Sequence, residues 1–326
     1  MSKWVGLAIF FLLLCLVPVF LKEEYFLHLL IMSGVWAILC MGWVLLLRLG
    51  LFSLGQAAFL GIGGYTSAIL CMRLSVSFWV TLPIAGVVTA FLAFFLGSIV
   101  LRLKGIYFAV VTFAFGEVVR LIYYNWASFL GGVSGISGIP RPNPLFGVSF
   151  HSKIPFYYLI VVLTLCAGVV MYRMDHSRLG RIFRAIGHNP DLAQSQGMNP
   201  MKYKVICFVA ASFFAGIAGS FLAHYYTTLY PDAFGIWESI LVQIKSTVGG
   251  VNTVILGPVM GAVVMTIVSE LLRGYMAGLE PLFFGVFLIL VIFFIPGGLA
   301  SLLQQKRVPS KEKKERKPFG GPGKGP

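Results

Sequence analysis

Apolar runs recur along this chain, each close to the roughly 20 residues a helix needs to cross a hydrocarbon core of about 30 Å. They fall at 4–21, 26–47, 51–72, 78–101, 105–126, 154–174, 203–224, 251–272 and 282–302. A weaker piece at 235–248 carries Glu238, Gln243 and Lys245. In lipid a spanning backbone must satisfy its own hydrogen bonds, and a helix does so within one segment. The pattern predicts an all-α, polytopic transmembrane helical bundle. The run at 4–21 is long for a signal-peptide core. It enters Lys22, Glu23 and Glu24 with no small-residue cleavage site, so it reads as a retained first helix.

Basic residues in the short turns set the orientation. With the N-terminus cytoplasmic and the spans alternating, Arg48, the turn holding Arg102 and Lys104, and the group Arg173, Arg178, Arg181 and Arg184 all fall on one side. The basic end of the chain joins them only if 235–248 also crosses. Charge therefore predicts about ten crossings, one of them short or broken, with both termini cytoplasmic. Residues 1–303 read as one transmembrane domain, with 175–200 a cytoplasmic segment inside it. Residues 304–326 read as a basic, disordered cytoplasmic tail.

Composition agrees. Hydrophobic residues make up 58% and charged residues 11%, and mean hydropathy is +0.90, which leaves too little charge for a soluble surface. The net charge of +14 gathers at span ends and in the tail without interleaved aromatics, so it fits a membrane flank and not nucleic acid. The five cysteines sit in or beside apolar runs, and neither they nor the five histidines show metal-ligand spacing. No phosphate-binding GxxxxGK[ST] occurs, and no Ser/His/Asp or Cys/His set shares one surface. The chain reads as non-catalytic and as binding no cofactor itself.

The run GLFSLGQAAFLGIGGYTSAIL at 50–70 holds five glycines and Gln56. Ala57, Gly61, Gly64 and Ala68 recur on one helical face, which suits close helix packing around something polar. Ala211, Ala215, Gly219 and Ala223, and the pair Gly257 and Gly261, read as packing faces too. Gly249-Gly250 and Pro258 are expected to break their span. The segment 127–153 is dense in Gly and Pro and predicts turns. In 175–200, a helix is expected over 177–186. A second is capped by Asn189, with Pro190 first, Asp191 in its first turn, Gly197 near its end and Pro200 beyond.

GLFSLGQAAFLGIGGYTSAIL (50–70), KGIYFAVVTFAFGEVVR (104–120), GGVSGI (131–136), RAIGHNPDLAQSQGMNPMKYKVICFVAASFFAGIAGSF (184–221) and GGVNTVILGPVMGA (249–262) together resemble the LivM-type permeases of ATP-binding-cassette importers for branched-chain amino acids. The resemblance implies a bacterial inner-membrane subunit working by alternating access. Its implied partners are a second homologous permease, two cytoplasmic ATPase subunits that hold ATP and Mg, and an extracytoplasmic solute-binding protein. It also implies that a short cytoplasmic helix docks on an ATPase through a Glu-x-Ala-Ala-x-x-x-Gly motif. Asp191, Ala193 and Gly197 match, while Asp replaces Glu and Gln194 replaces the second Ala. Related importers for urea, amides or nucleosides are an alternative, and an ion-coupled secondary transporter is a more distant one.

Arg181 and Arg184 join the docking candidates, with lipid headgroups as the other reading. Gln56, Gly61, Gly64, Glu117 and Arg120 are the candidates for the substrate pathway. Glu117 and Arg120 lie three apart and read equally as a structural pair near the outer interface. Gln56 reads more readily as a bond to another helix. Lys245 reads as a side chain that snorkels to the cytoplasmic interface.

Overall fold

The computed structural model describes residues 23–103, 105–144, 149–275, 280–295 and 297–301. The expected span at 4–21, Lys104 and the tail at 304–326 lie outside the described residues. In chain order the elements are α1 (Glu24–Leu47), α2 (Gln56–Leu74), α3 (Phe78–Val100), α4 (Ile106–Asn125), α5 (Ala127–Leu130), β1 (Ile136–Ser137), α6 (Lys153–His176), α7 (Arg178–His188), α8 (Pro190–Ser195), α9 (Pro200–Tyr226), β2 (Thr228–Leu229), α10 (Ile236–Gly249), α11 (Leu256–Tyr275) and α12 (Glu280–Phe294). Among the described residues six helices, α1, α2, α3, α4, α6 and α9, are long and apolar enough to cross a membrane.

Helices α1 and α9 form the centre. Their most apolar stretches are 78% and 67% buried, against 33% for α3 and 28% for α4. Helix α9 packs along α2 and α3 and crosses α1, and α1 also contacts α6 and α11. Apolar side chains do not drive helices together in lipid, so contact depends on backbones approaching closely. Small residues allow that here. A methyl group on Gly219 would overlap the Leu60 carbonyl, and one on Gly63 would overlap Gly216. The Ala211 side chain meets Gly42 of α1. The face expected from Ala57, Gly61, Gly64 and Ala68 is buried, but the tightest crossing lies beside it, at Leu60 and Gly63.

Three spans depart from the hydropathy pattern. Helix α2 begins at Gln56, several residues later than the apolar run. Gly50 has φ +70°, and the buried backbone that follows is satisfied by side chains of other elements. Leu54 N donates to Thr112 Oγ1 at 3.0 Å, and Ala57 N donates to Ser239 Oγ at 3.1 Å. Gly250 ends α10 at φ +106°, so α11 starts at Leu256 and not at 251. Pro258 then falls in the first turn of α11, where its missing N–H breaks no bond, and it does not interrupt the helix. Helix α12 stops at Phe294.

At the end of the bundle opposite Arg48, the Gly-rich loop forms turns and a strand pair that the all-α reading did not contain. Ile136 pairs with Leu229 and Ser137 with Thr228, antiparallel. Gly135 permits the approach, with φ +68° and a Cβ position already occupied by the Leu229 carbonyl. His224, fully buried, fastens the same loop. Its Nδ1 donates to the Pro140 carbonyl at 2.6 Å, and its Nε2 lies 2.9 Å from Ser67 Oγ, which also meets Thr81 Oγ1 at 2.9 Å and Ser220 Oγ at 2.8 Å. Helices α2, α3 and α9 are thus joined to the loop by one polar cluster.

Candidate functional site

At the basic end, polar side chains terminate one helix and start the next. Ser177 Oγ accepts from Leu179 N at 3.1 Å and caps α7. Asn189 Oδ1 accepts from Asp191 N and Leu192 N, both at 3.0 Å, and caps α8, with Pro190 first in the helix. Gly197 turns the chain at φ +79°, and Asn199 Oδ1 caps α9 through Lys202 N at 3.2 Å. Each cap satisfies an amide that a helix start leaves unbonded. The predicted pair of short helices therefore forms, with boundaries at Arg178–His188 and Pro190–Ser195.

Helix α7 buries Gly180, Phe183 and Ile186 and exposes Arg178 and Arg181. It lies hard against the ends of two spans. Gly180 abuts the Asp175 backbone and Gly187 abuts the Arg48 carbonyl, with no room for a Cβ at either. Asp175 closes this junction. Its carboxylate is 6% exposed, with Arg184 Nη1 at 2.9 Å, His176 Nδ1 at 3.6 Å and Arg48 Nε at 3.8 Å. Arg48 Nη2 donates onward to the Asn252 carbonyl at 2.6 Å. A cleft of about 270 Å³ opens among Arg48, Arg184, His188 and Asn252.

The predicted docking residues divide into two groups. Asp191, Gly197 and Arg181 are exposed, while Ala193 is buried and Arg184 turns inward to Asp175. Leu192, 61% exposed between Asp191 and Ala193, completes the outward surface and carried no polar signal in the sequence. Asp175 also escaped notice, because its partner Arg48 lies far off in the chain.

The predicted pathway residues include both packed interior positions and an ion pair. Gly61 and Gly64 face the interior of the bundle, Gly61 against Phe234 and the Tyr123 hydroxyl, Gly64 against the Gly219 carbonyl. Gln56 is 1% exposed, and its amide has no hydrogen-bond partner among the described residues, so it makes no bond to another helix there. Glu117 and Arg120 pair with each other, Oε2 to Nε at 2.9 Å. Arg120 Nη1 also reaches Asp232 Oδ1 at 3.2 Å, and the Tyr124 hydroxyl bonds the same carboxylate. The four groups fasten α4 to the turn before α10.

A cavity of about 420 Å³ lies elsewhere, walled by α1, α10 and α11 and by the segment from β2 to α10. Its polar lining includes Glu238 and Lys245 of α10 and Thr266, Ser269 and Glu270 of α11. Lys245 is 2% exposed, and its Nζ stands 3.6 Å from the centre of the Trp36 ring. It therefore does not snorkel to an interface. A cation over an indole face in a desolvated site is attracted by the ring quadrupole, which gives the ammonium an internal place to rest.

The chain matches the family described as branched-chain amino acid transport system / permease component over residues 25–296. It is 32% identical over 273 residues to the high-affinity branched-chain amino acid transport system permease protein LivM of Escherichia coli (strain K12), and equally to that of Salmonella typhimurium. The alignments cover 77% of this chain and 64% of the length of those two relatives. The high-affinity branched-chain amino acid transport system permease protein LivH of Escherichia coli (strain K12) is 23% identical over 164 residues, half of this chain and 52% of the relative. No solved structure matches the chain.

Proposed function

Because the chain belongs to the family of branched-chain amino acid transport system permease components, we propose that it is a membrane-spanning subunit of an ATP-driven importer for branched-chain amino acids. The observation that carries this reading is the rigid cytoplasmic unit of α7 and α8. It is capped at both starts, tied through Asp175 to α6 and α1, and presents Asp191, Leu192, Gly197 and Arg181 outward. Such a unit suits a mechanical contact in which ATPase closure is delivered to the spans. ATP and Mg belong to two partner ATPase subunits, and this chain hydrolyses nothing. A second homologous permease and a solute-binding protein complete the assembly, and the setting is a bacterial inner membrane.

The topology belongs to the same proposal: residues 1–303 form the transmembrane domain with both ends cytoplasmic, about ten crossings in all, and 304–326 form the basic tail. Two contacts support a crossing by α10, which at 14 residues is shorter than a full span. Just before it, Asp232 meets Arg120 and Tyr124, and just after it, Asn252 meets Arg48 at the basic end.

The test is purification of the tagged chain with its neighbours, followed by reconstitution. ATPase subunits should co-purify, and leucine should accumulate in vesicles only when ATP is supplied. Accumulation by this chain alone, without an ATPase, would overturn the reading.

A further inference from the structure

The cavity walled by α1, α10 and α11 carries charges of both signs in a set order. Helices α10 and α11 run antiparallel. Gly249 abuts Gly257, and Gly261 abuts the Lys245 carbonyl, so residue 245 stands level with residue 261. Glu238 is two helical turns from Lys245, about 10 Å along α10, and Glu270 is nine residues from Gly261, about 13 Å in the same direction. The two carboxylates therefore stand at about one level of the wall and Lys245 at another, and all three line the cavity. Side chains on a helix lean toward its N-terminus, which carries the Lys245 ammonium toward the carboxylates. Thr266, 7% exposed, adds a hydroxyl with no hydrogen-bond partner among the described residues. The remaining lining is largely aliphatic and aromatic, including Leu29, Met32 and Leu241.

We infer that this cavity is a binding site for a zwitterionic α-amino acid with an aliphatic side chain, and that Lys245 is a specificity-determining residue. The substrate carboxylate meets the Lys245 ammonium and the Thr266 hydroxyl, its ammonium meets Glu238 and Glu270, and its side chain lies against Leu29, Met32 and Leu241. A lining that carries charges of both signs suits a zwitterion better than a plain anion or cation, which would meet its like at one end of the cavity. A volume of about 420 Å³ is at the small end for ligand pockets, which run from about 300 to 1,000 Å³. This inference rests on the importer reading for its substrate but names a site of its own.

Ser269→Cys, in a chain whose native cysteines are replaced, places a thiol in the lining beside Glu270 without touching a charge. In the assembled importer, leucine should slow labelling of that thiol by a methanethiosulfonate reagent several-fold. Lys245→Met in the same background should abolish the protection, and in the unlabelled importer it should lower ATP-driven leucine uptake about tenfold or more. ATPase stimulation by the loaded binding protein should persist. Labelling at the same rate with and without leucine overturns the site, even if Lys245→Met fails to assemble. Protection that survives Lys245→Met overturns the role of the lysine. If leucine protects the introduced thiol but no vesicle accumulates leucine, the importer reading falls and the site stands.

Discussion

The guanidinium of Arg184 lies 2.9 Å from the carboxylate of Asp175, a group 6% exposed at the point where α6 gives way to the short helices α7 and α8. That bond fixes α7 against the spans. Asp175→Asn leaves Arg184 and Arg48 without their counter-charge. Hydrogen bonds to charged groups contribute about 1.5–3 kcal/mol, and partial exposure of Arg184 puts this one toward the lower figure. Leucine uptake per ATP hydrolysed should fall about tenfold in vesicles while the ATPase subunits stay bound. An unchanged ratio would show that the junction transmits no force.

Gly197 ends α8 at φ +79°, with no atom within 4 Å of the place a Cβ would occupy. A side chain there meets open space and only the backbone strain of a left-handed residue, roughly 1–2 kcal/mol. Gly197→Trp should therefore leave the bundle folded and block the surface proposed to meet the ATPase. Thermal melting in detergent should shift by a few degrees at most, and ATP-driven uptake should be lost. Normal uptake by this variant places the docking surface elsewhere.

Gly219 and Gly116 make a matched pair for the packing argument. A methyl on Gly219 overlaps the Leu60 carbonyl, whereas one on Gly116 meets only Ala58 Cβ at 4.0 Å. Gly219→Ala should force α2 and α9 apart and destabilise by about 1–3 kcal/mol or more, as overpacking does. Gly116→Ala should be neutral or stabilising. Equal melting temperatures for the two variants would contradict the close crossing.

His224 holds the Pro140 carbonyl on one nitrogen and Ser67 on the other. His224→Phe keeps the bulk and removes the donor to the Pro140 carbonyl, while Ser67 keeps Thr81 and Ser220, so the cost should be about 1 kcal/mol for the lost bond. The segment around Pro140 should become sensitive to protease added on its own side, ahead of global unfolding. Protection equal to wild type would mean that the strand pair holds the loop by itself.

Much of the helical plan was legible in the apolar runs, since a backbone in lipid must be helical wherever it is long and oily. The short helices were legible from Ser177, Asn189 and Pro190, because caps are local chemistry. What pattern reading missed shares one cause. Lipid and protein interior are both apolar, so hydropathy cannot tell which side of a helix faces which. That hid the true crossing at Gly63 and Leu60, and it hid Lys245, whose place over Trp36 depends on a helix 209 positions earlier in the chain. Asp175 reads locally as the polar end of a span, and only the fold brings Arg48 to it. Glu117 and Arg120 pair as their spacing predicts, yet the third member, Asp232, arrives from the far side of the chain.

Helix α1 places Trp36 on the cavity wall and carries Arg48 just past its C-terminal end. It runs 24 residues without a proline, about 36 Å of unbroken rod. A helix without proline resists a sharp kink, so a push on Arg48 is passed along its axis to the indole on which the Lys245 ammonium rests.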